Sequence, residues 1–233
     1  MAADGFVLVH GGYHGAWCWE PVRPLLSLPS IAVDLPGRGG RPSGGKPVTV
    51  DACVEAVLED ADAAGMSRFV LVGHSMGGIT ITETANRQPD RIAHLAYVAA
   101  LVLEPGSNVF DLYFGDEAPR PDDLSGVMPL LDEATARQMF SEDLSPEAFA
   151  EVHRQCVPEA VGLFAATVSG YDSGVPATYL RCLRDGAVPA EVAEEMIKRL
   201  DPSRLVDLDS DHDVMLSHPG LLADHLNEVA RDA

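Results

Sequence analysis

The feature that most constrains the fold is a glycine-rich segment at residues 73–77, Gly-His-Ser-Met-Gly. An apolar run at residues 69–72 precedes it, and residues 79–85 are compatible with a helix. A G-x-S-x-G segment between a buried strand and a helix is typical of a strained turn that exposes a serine hydroxyl above the sheet edge. Gly78 adds another small residue where strand and helix must approach. The sequence therefore predicts that Ser75 is a nucleophile, and an ordinary glycine-rich turn is the alternative.

A second glycine-rich turn lies near the N-terminus. Residues 6–9, Phe-Val-Leu-Val, are typical of a parallel strand buried on both faces. Residues 10–15, His-Gly-Gly-Tyr-His-Gly, follow the strand, and we expect a helix at residues 17–26. A turn of this kind lets backbone N–H groups converge where an oxyanion develops during acyl transfer. The N–H of Met76, directly after the serine, is the expected second donor.

A serine nucleophile at such a turn needs a histidine as general base and an acidic residue to orient it, in the chain order serine, Asp or Glu, histidine. Of the eight histidines, His212, His218 and His225 come late enough. His212 follows a strand candidate at residues 205–208 and precedes the last helix, which places it at the same sheet edge as the serine. His218 stands before Pro219, a residue that favours the first turn of a helix, and His225 lies within that helix. The pattern favours His212 and leaves the other two as alternatives.

The acid is expected after the strand candidate at residues 177–183. Asp185 follows that strand, and a glycine then turns the chain. A carboxylate at this position can accept the Nδ1–H of the histidine, so that Nε2 takes the serine proton. Asp207, Asp209 and Asp211 compete because they lie close to the histidine in sequence. Asp185 is favoured because Asp207 falls within a strand and the other two fall in a loop.

Three blocks of the chain together resemble the α/β-hydrolase superfamily: residues 10–17, 73–78 and 211–216. In particular they resemble the branch of plant methylesterases (the salicylate-binding type) and hydroxynitrile lyases, with their bacterial esterase relatives. The resemblance implies hydrolysis of a small ester without any cofactor. It also implies a triad of Ser75, Asp185 and His212, and an oxyanion hole formed by the N–H groups of Gly12 and Met76.

Two positions depart from the lyases of that branch. Those lyases place threonine after the first motif histidine and lysine after the catalytic histidine, where this chain has Gly11 and Asp213. A lysine would stabilise leaving cyanide and a carboxylate would not, so lyase chemistry is disfavoured. Asp213 predicts a negative potential near the acyl pocket and a preference for neutral esters. The alternative is that Asp213 faces solvent or a salt bridge and has no role.

The 233 residues favour one α/β-hydrolase core, a mostly parallel sheet of about six strands flanked by helices, with a helical lid insertion. We expect the core at residues 1–103 and 176–233 and the lid at 104–175. Strand candidates lie at residues 6–9, 30–33, 69–72, 93–103, 177–183 and 205–208. Helix candidates lie from Thr49 or Asp51 to Gly65, and in the lid at 132–140 and 146–155.

Apolar side chains in the insertion could line a substrate pocket, although most could equally pack within the lid. The candidates in the lid are Phe110, Tyr113, Phe114, Met128, Leu131, Met139, Phe140, Phe149 and Phe164. The favoured pocket residues are Gly11, Tyr13, Phe110, Met128, Phe149 and Phe164.

Charge and cysteine content exclude several classes of partner. A net charge of −20 argues against nucleic acid and anionic membrane surfaces. The first residues lack the pattern of a secretory leader, and no apolar run approaches 18 residues, so a cytoplasmic protein is expected. The four cysteines have no ligand spacing, which favours free thiols over disulfides or a metal site. A homodimer is compatible with these features.

The leading hypothesis is a cofactor-independent serine hydrolase that cleaves a small carboxylic ester through an acyl-enzyme. A receptor that keeps the triad but turns over slowly is one alternative. A lactonase or cyclase of secondary metabolism that uses the same pocket is another.

Overall fold

The computed structural model describes residues 2–233, apart from the side chain of Asp116. Its main feature is a six-stranded sheet in which every neighbouring pair is parallel, in the order β2-β1-β3-β4-β7-β8. The strands of this sheet are β1 (Phe6–Val9), β2 (Ser30–Val33), β3 (Phe69–His74), β4 (Ile92–Val98), β7 (Ala177–Cys182) and β8 (Arg204–Leu208).

Helices join most of these strands and follow the last of them, since parallel neighbours need a crossover connection. Outside the segment between β4 and β7 they are α1 (Val50–Ala63), α2 (Gly77–Arg87), α7 (Ala190–Leu200), α8 (Val214–Ser217) and α9 (Pro219–Asp232). The sheet has an apolar cluster on each face, because alternate side chains of a strand point to opposite faces. In β1, Val7 and Val9 join one cluster, and Phe6 and Leu8 join the other.

The segment between β4 and β7 forms a separate group of short elements. It contains a two-stranded antiparallel sheet of β5 and β6 in addition to four helices. The elements are α3 (Val109–Phe114), β5 (Val127–Met128), α4 (Glu133–Phe140), α5 (Pro146–Gln155), β6 (Glu159–Ala160) and α6 (Val161–Phe164).

The predicted α/β-hydrolase architecture is confirmed, and so are the six strands of the sheet. Two predicted elements differ from the structure by more than two residues. The strand expected at residues 93–103 ends at Val98, because the next residue, Ala99, has a φ of +45° and turns the chain. The helix expected at residues 17–26 is wrong: two short 3₁₀ turns, Ala16–Trp19 and Arg23–Leu25, occupy the segment.

Prolines explain the missing helix. Pro21 and Pro24 lie within the expected range, and each lacks the N–H that a helix interior requires. Among residues 2–233, none of the helices combines the length and the apolar character that are needed to cross a bilayer.

Candidate active site

Ser75 occupies a sharp turn between β3 and α2. Its φ is +51°, in the left-handed region that a residue with a side chain rarely adopts. The turn is held by its backbone: the Ser75 N–H donates to Val98 O (3.1 Å), and Ser75 O accepts from the N–H groups of Gly78 and Leu101 (both 2.9 Å). A Cβ at Gly78 would lie 2.3 Å from Leu101 O, so this close approach requires glycine. The half-buried serine side chain reaches a cavity above the sheet edge.

The turn after β1 packs directly against the serine. A Cβ at Gly11 would lie 2.7 Å from the Ser75 Cβ, and one at Gly12 would lie 2.9 Å from the Met76 Sδ. The two predicted oxyanion donors are therefore neighbours. Within residues 2–233, neither the N–H of Gly12 nor that of Met76 donates to a protein acceptor, so both are free to bind a substrate oxygen.

His212 and Asp185 form a buried hydrogen-bonded pair. His212 Nδ1 lies 2.7 Å from Asp185 Oδ2, and both side chains are almost completely buried. The other carboxylate oxygen, Asp185 Oδ1, accepts from the N–H groups of Ala187 (2.8 Å) and Val188 (2.7 Å). These bonds orient the carboxylate towards the histidine, and the histidine Nε2 is left for another partner.

The competing acidic residues have other partners. Asp207 pairs with Arg181, and Asp209 pairs with Arg184. Asp211 accepts from the hydroxyl of Ser217 and from a backbone N–H. Of the competing histidines, His218 pairs with Asp143 and His225 pairs with Glu228.

The surroundings of His212 favour its charged form. Burial lowers the pKa of the imidazole, but the Asp185 charge and hydrogen bond, together with Asp213 and Asp211, raise it above its ordinary value. In the described residues, no direct hydrogen bond joins the Ser75 hydroxyl to His212. Such bonds often form only when a substrate closes the site.

A cavity of about 250 Å³ brings the predicted groups together. Ser75, Met76, His212 and Gly12 lie in its wall. The remaining wall is mostly apolar and comes largely from the segment between β4 and β7. It consists of Tyr13, His14, His74, Val109, Tyr113, Phe114, Met128, Leu131, Met139, Phe140, Phe164 and Ala187.

Three of the six favoured pocket residues, Tyr13, Met128 and Phe164, line this cavity. The other three lie elsewhere. Gly11 lies beneath the serine, Phe110 packs against the rings of Phe114 and Phe164, and Phe149 borders a smaller cavity.

Asp213 does not face solvent. Its side chain is completely buried and lies 3.2 Å from His14, across the turn that carries Gly12. Two further buried groups lie close by: His74 and Ser141. The sequence does not reveal these contacts, because their partners are up to 199 residues apart.

Comparison with known proteins gives the family of this chain. Residues 6–225 match the model of a family described as alpha/beta hydrolase. The chain is 30% identical to methylesterase 7 of Arabidopsis thaliana, over 97% of this chain and 95% of that protein. It is 31% identical to an alpha-hydroxynitrile lyase of the same plant, over 97% of both chains.

A solved structure shares the fold over nearly the whole length. The crystal structure of the methylesterase MES16 from Arabidopsis superposes with a TM-score of 0.82 at 25% identity, covering 98% of this chain and 99% of that one. The elbow at Ser75, the parallel sheet and the family match lead to one conclusion: this chain belongs to the alpha/beta hydrolase family.

Proposed function

We propose that the protein is a cofactor-independent serine esterase that cleaves small, neutral carboxylic esters through an acyl-enzyme. The observation that supports this most strongly is the meeting of three groups at one cavity: a serine at a left-handed elbow, the His212–Asp185 pair, and two unpaired backbone N–H groups. The relatives named methylesterase give independent support.

In the proposed mechanism, Ser75 Oγ attacks the ester carbonyl while His212 Nε2 accepts its proton. The oxyanion is stabilised by the N–H groups of Gly12 and Met76, and Asp185 holds the imidazole in the required tautomer. His212 then gives the proton to the departing alcohol. Water, activated by the same histidine, releases the carboxylic acid and restores the serine.

The cavity wall supports a neutral substrate. Among the described residues that line it, none carries an Asp, Glu, Lys or Arg side chain, and most are apolar. The two lining histidines that favour their charged form, His14 and His212, are each paired with a buried carboxylate. An ionic substrate group would therefore lose its hydration there without gaining an unpaired opposite charge. A small ester with an apolar acyl or alcohol part is therefore the best match.

We further propose that residues 104–175 form a lid over a core made of residues 1–103 and 176–233. Support comes from the cavity itself, since α3, β5, α4 and α6 supply most of its apolar wall. A cytoplasmic location and a homodimer stay predictions from the sequence.

The relative named alpha-hydroxynitrile lyase raises a second activity. A cyanohydrin-cleaving site of that branch has a lysine after the catalytic histidine, and this chain has Asp213 there, buried against His14. A leaving cyanide ion would find no lysine ammonium at this position, so we do not propose lyase activity.

The test is steady-state hydrolysis of p-nitrophenyl acetate by the wild type and by Ser75→Ala. We expect kcat to fall by on the order of 10⁴–10⁶ in a protein that keeps its fold, because the nucleophile is lost. Ser67→Ala is the matched control: it removes an exposed serine hydroxyl just before β3, at the opposite end of the same strand, and should leave kcat unchanged. A folded Ser75→Ala protein that retains most of its kcat would contradict the proposal.

The same assay separates an enzyme from a slow receptor. An esterase continues to release product after the first equivalent, whereas a receptor stops near one acylation per chain. A panel of methyl, aryl and lactone esters, each compared with an analogue carrying a second carboxylate, then identifies the substrate class. We expect the neutral esters to have the higher kcat/KM.

A further inference from the structure

Asp213 connects four parts of the active-site framework, although it does not line the cavity. Its Oδ2 accepts from the Ser141 hydroxyl (2.7 Å) and lies 3.2 Å from His14 Nε2, while its Oδ1 lies 3.8 Å from His74 Nε2. Its N–H donates to Phe140 O (2.8 Å). The carboxylate therefore contacts the turn after β1, the end of β3 and the end of α4, and it follows His212 in sequence.

The hydrogen-bond partners of His14 determine which of its two ring nitrogens carry a proton. His14 Nδ1 lies 2.7 Å from Gly12 O, and because a carbonyl only accepts, Nδ1 must carry a hydrogen. A neutral imidazole would then present the lone pair of Nε2 to the carboxylate. The 3.2 Å contact is attractive only if a proton lies between Nε2 and Oδ2. Because Oδ2 also accepts from the Ser141 hydroxyl, it acts as a carboxylate oxygen, and the proton belongs to an imidazolium.

The electrostatic surroundings agree with this assignment. Burial lowers the pKa of His14, but the Asp213 charge and hydrogen bond more than compensate and raise it. Burial opposes the charge of Asp213 as well, yet the charge and hydrogen bond of His14 hold the pKa of this carboxyl well below its usual range. A buried ion pair of this kind is destabilising if either partner is removed alone.

The His14–Asp213 pair contacts the turn that carries Gly12, whose N–H is a predicted oxyanion donor. Tyr13 within that turn has a φ of +63°, so the turn must be held from outside. The segment between β4 and β7 holds one side, where Glu159 accepts from the Tyr13 N–H (2.9 Å) and Val157 donates to Tyr13 O (2.9 Å). His14 holds the other side through Gly12 O.

We propose that Asp213 and His14 are a positioning pair, in which a shared proton fixes the Gly12 carbonyl, and with it the turn that carries the Gly12 N–H, relative to Ser75 and His212. Asp213 acts through His14 and has no contact of its own with substrate. This inference rests on the esterase activity proposed above, and it goes beyond the triad by adding a second buried Asp–His pair behind it.

Several titratable groups face Asp213 and must be considered in any pH dependence. Burial keeps the pKa of His74 well below its usual value, and burial together with Asp213 raises the pKa of the nearby thiols, so these groups are neutral near pH 7. The pKa of Asp211 is raised chiefly by burial. The facing groups are His14, His74, His212, Asp211, Cys18, Cys156 and Cys182.

Two substitutions at Asp213 distinguish the effect of its charge from the effect of its hydrogen bonds. Asparagine has nearly the shape of aspartate, and with its NH2 group in the place of Oδ2 it can donate both to the lone pair of a neutral His14 and to the Ser141 Oγ. Asp213→Asn should therefore keep a kcat close to that of the wild type at pH 7. Asp213→Ala removes both bonds and should lower kcat by on the order of 10² with little change in KM, because the oxyanion donor is displaced.

The dependence of kcat on pH should differ between the wild type and Asp213→Asn. In the wild type, kcat should decline at alkaline pH as His14 loses the shared proton and its lone pair meets the carboxylate. Asp213→Asn should lack this decline. Its acid limb should move to lower pH, because the Asp213 charge no longer raises the pKa of His212. Asp209→Asn, which changes an exposed carboxylate, is the control that should leave the profile unchanged.

A measurement without substrate distinguishes this proposal from the proposed activity. In ¹⁵N-histidine NMR at pH 7, with the His14 signals assigned by His14→Gln, both ring nitrogens of His14 should carry a proton in the wild type. Only Nδ1 should carry one in Asp213→Asn. A His14 that is neutral in the wild type would overturn the proposal, and so would a folded Asp213→Ala enzyme with unchanged kcat. If Asp213→Ala does not fold, the spectra and the profile of Asp213→Asn decide.

Discussion

At the scale of single residues, the central contact is the hydrogen bond between His212 and Asp185. Four carboxylates are candidates for the acid from the sequence, but Asp185 is the one whose oxygen lies 2.7 Å from His212 Nδ1. Its second oxygen is held by two backbone N–H groups, which leaves its orientation little freedom. The other candidates are occupied by arginines or by a serine.

Asp185→Asn should therefore reduce kcat by on the order of 10⁴ without unfolding the protein, because the amide favours the wrong imidazole tautomer. The assay is steady-state ester hydrolysis, with circular dichroism to confirm the fold. Asp209→Asn is the matched control, since this carboxylate is 85% exposed and pairs with Arg184. If the Asp209 variant were crippled and the Asp185 variant mild, the assignment of the acid would be wrong.

Residue identities around the elbow could be predicted because the chemistry is local. The order of strand, G-x-S-x-G segment and helix is continuous in the chain, and it indicates Ser75 and Met76 directly. The environment of Asp213 could not be predicted in this way. Its partners, His14 and Ser141, are 199 and 72 residues away, and only the folded chain brings them together.

At the scale of elements, the passage from β3 to α2 depends on how closely the two backbones approach. Gly77 and Gly78 begin the helix where it meets the turn after β1 and the chain beyond β4. A Cβ at Gly77 would lie 2.7 Å from His10 O, and one at Gly78 would lie 2.3 Å from Leu101 O. Both contacts are with backbone, which cannot move aside as a flexible side chain can.

Gly78→Ala should therefore destabilise the protein by about 1–3 kcal/mol or more, as overpacking does, and should impair catalysis by displacing the elbow. Gly220→Ala is the matched control. It lies in the first turn of α9 with open space where a Cβ would be, so its stability should be unchanged or raised by up to about 1 kcal/mol. Urea unfolding of both variants is the measurement, and equal stability would contradict this account of the elbow.

The helices show which local sequence signals decide where a helix begins and whether one forms at all. The cap of α1 was predicted at Thr49 or Asp51, and the Thr49 hydroxyl accepts from the Ala52 N–H as a helix cap does. A helix was expected at residues 17–26, but Pro21 and Pro24 prevent one. Helix α7 was not predicted, although its amphipathic sequence and basic last turn are local signals for it.

At the scale of the whole molecule, the six-stranded sheet and the segment between β4 and β7 supply different parts of the site. The parallel sheet, with an apolar cluster on each face, holds Ser75, Asp185 and His212 at the ends of three different strands. The segment between β4 and β7 then supplies most of the apolar wall of the cavity. Sequence pattern predicts the sheet because its strands follow apolar patterns, continuous in β1 and in the first part of β3 and alternating in β8. It does not predict which side chains between β4 and β7 face the cavity, since that depends on the packing of short elements.

The central claim is that Ser75 is a nucleophile activated at a single site in the molecule. The most direct test is to treat the intact protein with a fluorophosphonate, measure its mass, and locate the adduct by peptide mass spectrometry, with Ser75→Ala in parallel. We predict one adduct per chain, on the peptide that contains Ser75, together with complete loss of hydrolysis and no labelling of Ser75→Ala. An adduct on another residue, or full labelling of Ser75→Ala, would contradict the account.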